Sequence, residues 1–279
     1  MLPLVLAFGS GMGWGSADFL AGTAARRLPL LTVSLVSQVA GFVFLLAVVL
    51  VRGEAPTETR ALVLGLIAGL VGVAGLAALY RGLAIGRMSI VAPTAALSGV
   101  VPVAWGLLRG DRPSALQFVG VAIAIAGVVL ASRTPDEEGG TERAAGIGLA
   151  LIAAATLGVL VVLLDEAGRS DPLWGALMIR VSAIAVLLVA VAIRRPSLRM
   201  TRRDAGRLGA VGLLDNGANL SFAIAAETGG LLTLTSVLGS LYPVATVLLA
   251  RFVLHERLAR HQTLGVIAAL TGVVLIAAG

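Results

Sequence analysis

The chain contains no cysteine, no lysine and only two histidines, and charged residues make up 13% of it. Without cysteine there are no disulfides, no thiolate metal sites and no thiol catalysis. The scarcity of charge excludes an ordinary water-soluble globule. With 58% apolar residues and a mean hydropathy of +1.00, 279 residues supply too little polar surface to coat one. The formal charge of +6 rests on arginine, and nearly all the arginines fall in short gaps between apolar runs instead of along one face. That is the distribution of membrane flanks, not of a nucleic-acid surface. The expected surroundings are a lipid bilayer, with no nucleic-acid partner.

What the sequence does contain is ten apolar segments, each close to the ~20 residues that cross a bilayer as a helix. They run roughly over 2–22, 30–51, 61–83, 89–108, 114–132, 145–164, 172–193, 206–226, 232–252 and 262–278. Connections such as "IGRMS" and "RGDRP" leave no room for an extramembrane domain. The first segment has small residues in "AGTAA" that resemble a cleavage site, but it lacks a basic start and carries Trp14 and Asp18, so it is expected to stay as a helix. Glycine clusters at Gly9, Gly11, Gly13 and Gly15, and again at Gly65, Gly69, Gly72 and Gly75, suit close helix packing in lipid.

The chain also repeats itself. "QFVGVAIAIAGVVL" from Gln117 and "QTLGVIAALTGVVL" from Gln262 share eight of fourteen positions, including Gly120 with Gly265 and Gly127 with Gly272. Asp111-Arg112 precedes the first stretch as Glu256-Arg257 precedes the second, and Pro102 in "SGVVPVAW" corresponds to Pro243 in "GSLYPVAT". A fainter match joins "GSGMGWGS" to "AAATLGVL". Two halves follow, 1–132 and 145–279, joined by an acidic loop at 133–144. Five spans per half make the second half enter the membrane from the opposite side. The expected fold is an all-α integral membrane protein of ten transmembrane helices built as two inverted five-helix repeats.

Two halves that each close on a proline, an acidic-Arg pair, a glutamine and a Gly-x6-Gly helix resemble the drug/metabolite transporter superfamily with paired EamA-type domains. "GWGSADF" from Gly13 to Phe19 is similar to the family's first-helix pattern. Two departures stand out: Asp111 replaces the more usual Glu, and Pro102 lies closer to Gln117 than Pro243 does to Gln262, so the fourth helix is expected to end early. The resemblance implies gradient-driven or exchange transport of small metabolites by alternating access, often export, in the cytoplasmic membrane, with no cofactor or metal.

Charges inside a bilayer cost roughly 2.5–3.5 kcal/mol on insertion scales, so an intramembrane ion is a functional candidate by default. Arg180 lies near the centre of the seventh segment and Asp215 near the centre of the eighth, followed by Asn216 and Asn219. Arg180 and Asp215 either hold opposite ends of a zwitterion such as an amino acid or pair with each other. Asp18 and Arg81 stand near helix ends and read as a structural or gating pair. Gln38, with Ser34 and Ser37, is assigned to helix-to-helix hydrogen bonding. Pro102 and Pro243 interrupt helices at matching points of the two halves, either along a transport path or as packing kinks. Trp14 and Tyr242 are cavity walls or helix-contact bulk.

Rival classes fare worse. There is no HExxH, and His255 and His261 both sit in the last connection, so an intramembrane metalloprotease finds no ligand pair. A channel would need a continuous polar stripe. No P-loop is present to spend ATP. The leading expectation is an exporter of amino acids or related zwitterionic or anionic metabolites, coupled to a proton or a counter-substrate. The alternative is a proton-coupled exporter of lipophilic cations. Oligomeric state is left open between monomer and homodimer. Arginine concentrates in the connections after the odd-numbered segments, which places those connections in the cytoplasm and both termini outside.

Overall fold

The computed structural model describes residues 2–53, 55–56, 58–110, 114–132, 140–168, 171–227, 238 and 241–279. Among these the chain is helical, without a strand. The helices are α1 (Leu2–Ala25), α2 (Leu30–Arg52), α3 (Thr59–Ile85), α4 (Met88–Ala95), α5 (Val100–Leu108), α6 (Ala115–Ser132), α7 (Gly140–Gly168), α8 (Pro172–Arg194), α9 (Arg202–Glu227), α10 (Tyr242–Val253) and α11 (Arg260–Ala278). A 3-10 turn, Ala96–Gly99, separates α4 from α5. The acidic loop and Asp111-Arg112 lie mostly outside the described residues, as does the first half of the ninth segment.

Among the described residues, six helical stretches are long and apolar enough to cross a membrane: α2, α3, the α4–α5 stretch Met88–Leu108, α7, α8 and α11. Large apolar side chains such as Leu50, Val51, Leu108, Ile193 and Phe252 point outward, as a lipid-facing surface requires. The interior is built largely from alanine and glycine. In lipid no hydrophobic force separates inside from outside, so helices associate by close backbone approach. Helices α1 and α9 have ample length but fall short in apolarity, and they pack extensively on each other. The most polar helix, α9, is thus packed against protein along α1 and α2.

The duplicated stretches turn out to face each other. Gly127 of α6 abuts the Gly265 carbonyl and the Ala269 amide of α11, and Gly120 abuts the Gly272 carbonyl. The two helices run antiparallel, and a Cβ at any of these four glycines would strike the opposite backbone. The shared glutamine has a local reason too. Gln117 Oε1 accepts the Ser114 N–H at 2.9 Å and Gln262 Oε1 accepts the Ala259 N–H at 3.1 Å, so each satisfies a free donor at its helix start.

Other contacts come in matched sets. Helix α3 packs on α7 and α8, as α9 packs on α1 and α2. Gly69 of α3 meets the Ile179 carbonyl and Ser182 of α8; Gly212 of α9 meets the Ser37 carbonyl and Gly41 amide of α2. Gly158 of α7 meets Val101 of α5, and Gly15 of α1 meets Tyr242 and Ala245 of α10. Helix α5 does end four residues sooner after its proline than α10 does, at Leu108 against Val253.

Contacts between helix ends define two faces. On the first, Arg26 pairs with Glu256 at 3.5 Å, Arg87 donates to the Arg257 carbonyl at 3.1 Å, and Thr32 donates to the Ser197 carbonyl at 3.1 Å. The Glu256 carboxylate also accepts the first N–H groups of α4, from Met88 at 3.1 Å and Ser89 at 3.0 Å, where the helix dipole favours an anion. The second face carries Arg60, Arg109 and Glu166.

Candidate functional site

Helices α2 and α8 each hold 23 residues. Gln38 is the ninth residue of α2 and Arg180 the ninth of α8, 142 positions later, and the two meet: Arg180 Nη1 donates to Gln38 Oε1 at 2.6 Å. Arg180 Nη2 donates to Asp215 Oδ2 of α9 at 2.7 Å. Arg180 and Asp215, left open from sequence between holding a zwitterion and pairing with each other, are in contact here, with Gln38 as a third member that sequence reading assigned only to helix contacts. The Arg180 Nε is buried without a hydrogen-bond partner among the described residues, so one donor of the guanidinium is unsatisfied in this arrangement.

Burial along α9 shows where this cluster opens. Leu208, Val211, Asp215 and Asn219 succeed one another on one helical face. Leu208 is 0% and Val211 1% exposed, the Asp215 side chain is 34% exposed, and Asn219 is exposed. The face is sealed toward the first face of the molecule and opens toward the second. Arg180, with a side chain 12% exposed, sits behind its partner. Sealing has a visible cause: Val33, Leu83, Met88 and Val91 pack into one fully buried apolar cluster with Leu208 and Val211.

Aromatic rings frame the same region. Trp14 and Asp18 are spaced i, i+4 on α1. The Trp14 ring lies 5.7 Å from Phe222 of α9 and 6.5 Å, edge-on, from Tyr242 of α10. Asp18 lies within electrostatic reach of Asp215, Tyr80 and Tyr242, and makes no side-chain hydrogen bond or ion pair among the described residues. Tyr80 is buried within reach of Ser37, and the Tyr242 hydroxyl approaches Ser98 in the 3-10 turn. Tyr80 and Phe222 were not singled out from sequence, because one aromatic in an apolar run carries no signal of its own.

Several expectations need correction. Asp18 and Arg81 do not pair: Asp18 lies within electrostatic reach of Asp215, Tyr80 and Tyr242, whereas Arg81 is exposed. Arg26, not Arg81, is tied down near the end of α3, through the Leu83 and Gly86 carbonyls at 3.4 Å each. Asn216 is 1% exposed, donates to the Gly212 carbonyl at 2.8 Å and packs against Gly41, so it belongs to the α9–α2 contact and not to an open site. Asn219 donates to the Asp215 carbonyl one turn back at 2.8 Å. Pro243 stands in the first turn of α10, where its missing N–H costs nothing, so it does not interrupt the described helix. Pro102 is the third residue of α5, with Val100 and Val101 between it and the 3-10 turn that breaks this segment, and Pro93 inside α4, which sequence reading passed over, removes a helix hydrogen bond just before that turn.

Comparison with protein families matches the EamA-like transporter family over residues 1–133 and again over 144–278. The chain belongs to that family. It is a membrane transporter of the drug/metabolite transporter superfamily, with one family unit in each half. This EamA-like transporter matches no curated protein. Among solved structures it is similar to one described as the crystal structure of a protein, at 17% identity, covering 98% of this chain and 95% of that one with a TM-score of 0.68. That likeness concerns the fold.

Proposed function

We propose that this transporter moves small zwitterionic metabolites, amino acids foremost, by alternating access between two inverted five-helix halves. The observation that carries the substrate reading is the mid-helix cluster itself: one guanidinium held by Gln38 and Asp215, beside a second carboxylate, Asp18, that has no hydrogen-bond or ion-pair partner among the described residues. A substrate carboxylate competes with Asp215 for Arg180 and satisfies the unused donor. Its ammonium group then lies between Asp18 and the released Asp215, against the Trp14 ring, where a cation is favoured by the π face. Binding and the rearrangement of charged helices become one event. Trp14 and Tyr242 act as walls of this site, and Asn219 lies at its approach.

The inverted arrangement is supported by the antiparallel glycine contact of α6 with α11, the matched helix pairs and the meeting of Gln38 with Arg180. On the arginine distribution, the sealed first face is cytoplasmic, both termini are outside, and the molecule stands open outward. Net export then requires the Glu256 contacts of the first face to break in each cycle.

A second reading, proton-coupled export of lipophilic cations, draws on one specific observation. Asp215 already neutralises Arg180, which removes the repulsion that would otherwise keep a cation away, and leaves Asp18 to exchange it for a proton. The two readings separate by experiment. Metabolites inside and outside cells overproducing the protein are compared with cells making the Arg180→Ala variant. Amino-acid export that depends on Arg180 supports the first reading. Cation export that survives the substitution, with no amino-acid signal, supports the second.

A further inference from the structure

A second charged cluster, on the opposite face from Glu256, plays no part in the proposed transport site. Arg60 Nη2 lies 3.1 Å from Glu166 Oε2, and Arg109 Nη1 lies 2.6 Å from Glu166 Oε1. Arg109 also stacks over the Trp105 ring at 5.1 Å. Two guanidiniums share one carboxylate, so these three residues carry a net positive charge. The Glu166 side chain is 10% exposed, while those of Arg60 and Arg109 are 65% and 44% exposed. The carboxylate thus holds both cations from behind and partly neutralises them, while much of each arginine side chain stays exposed.

The three residues sit at comparable depth. Arg60 is the second residue of α3, Arg109 caps the end of α5, and Glu166 stands in the last turn of α7. Below them runs a groove of about 350 Å³ between α3, α5 and α7, walled by Leu64, Val101, Trp105, Val159, Val162 and Leu163. At 1.5 Å of rise per residue, the step from Arg109 down to Val101 reaches about 12 Å toward the bilayer centre. Trp105 and Val159 are themselves exposed on the outer surface, so the groove opens sideways to lipid. An apolar slot of that depth under a pair of arginines at the helix ends matches one occupant in both shape and charge. Its phosphate meets the two guanidiniums, which suit bidentate phosphate recognition, and an acyl chain fills the slot.

We propose that the Arg60–Arg109–Glu166 cluster and the groove beneath it form a binding site for one anionic phospholipid, with phosphate on the arginines and acyl chain along α5 and α7. Such a lipid ties α3, α5 and α7 together at the end of the molecule that stands open. The site is independent of the transport reading, since among the described residues no hydrogen bond or ion pair links it to Arg180, Asp215 or Asp18.

The test uses purified full-length protein in a neutral detergent, titrated with dioleoyl-phosphatidylglycerol, dioleoyl-phosphatidylcholine or sodium phosphate, with thermal unfolding followed throughout. Phosphatidylglycerol is expected to raise Tm well beyond phosphatidylcholine, and sodium phosphate to give no such rise. Arg60→Gln and Arg109→Gln each weaken the phosphatidylglycerol response roughly tenfold in apparent affinity, the worth of one charge-assisted hydrogen bond. Glu166→Gln strengthens it, because a competing anion is removed, even though that variant starts from a lower Tm. A purely structural role for Glu166 predicts the lower Tm without the stronger response. Equal responses to the two lipids, an equal response to free phosphate, or a phosphatidylglycerol response unchanged in Arg60→Gln would overturn the proposal. Arg60, being largely exposed, keeps the test decisive even where Arg109→Gln fails to fold.

Discussion

Removing Asp215 should cost more stability than removing Arg180, although each substitution breaks the same ion pair. The reason lies in what is left behind. Asp215→Ala strands a guanidinium whose side chain is 12% exposed, whereas Arg180→Ala strands a carboxylate that is 34% exposed and can take up a proton or water. Orphaned buried charges typically cost 3–5 kcal/mol. Gln38 remains on Arg180, so the lower end applies, about 3 kcal/mol for Asp215→Ala. Partial solvation brings Arg180→Ala down to about 1–2 kcal/mol. The double variant strands neither charge, so its loss should be about 2 kcal/mol smaller than the sum of the single losses. Unfolding in mixed dodecylmaltoside–SDS micelles, followed by the fluorescence of the three tryptophans, measures all four proteins. Additive losses within about 0.5 kcal/mol, or a larger loss for Arg180→Ala, would refute the reasoning.

Gly127→Val should destabilise the α6–α11 crossing by about 3 kcal/mol or more, because the added side chain meets backbone and not a movable side chain. Gly148→Ala, with nothing within 4 Å of its Cβ position, serves as the control and should be neutral or stabilising by up to ~1 kcal/mol. Thermal unfolding of both variants checks the contrast. Glu256→Ala removes the acceptor at the start of α4 and should loosen the first face. Because the chain has no cysteine, a single Val91→Cys reporter is clean, and its labelling by a hydrophilic maleimide should accelerate in the Glu256→Ala background. An unchanged rate would mean that Glu256 does not hold that face closed.

The duplication was legible because a glutamine and two glycines at fixed spacing survive in otherwise interchangeable apolar helices. What those residues do was not. That glutamine serves the helix start, and that the two Gly-x6-Gly faces press on each other, follow only from how the helices run in space. Arg180 and Asp215 stood out because charge is rare in their segments, and they do pair. Asp18 was assigned the wrong neighbour: its closeness to a helix end suggested Arg81, but packing of α1 on α9 brings it within electrostatic reach of Asp215. Gln38 was noticed as polar, yet its match to Arg180 needed the equal lengths of α2 and α8. Arg60, Arg109 and Glu166 were invisible as a group, since each reads as an ordinary membrane flank and only the fold gathers them.

The central claim is that Arg180 receives the anionic end of a zwitterion. Protein reconstituted into liposomes and loaded with unlabelled amino acids should accumulate labelled amino acids by counterflow, and the Arg180→Ala variant should lose this exchange while keeping any exchange of organic cations. Amino-acid counterflow that persists undiminished in the Arg180→Ala protein would contradict the account.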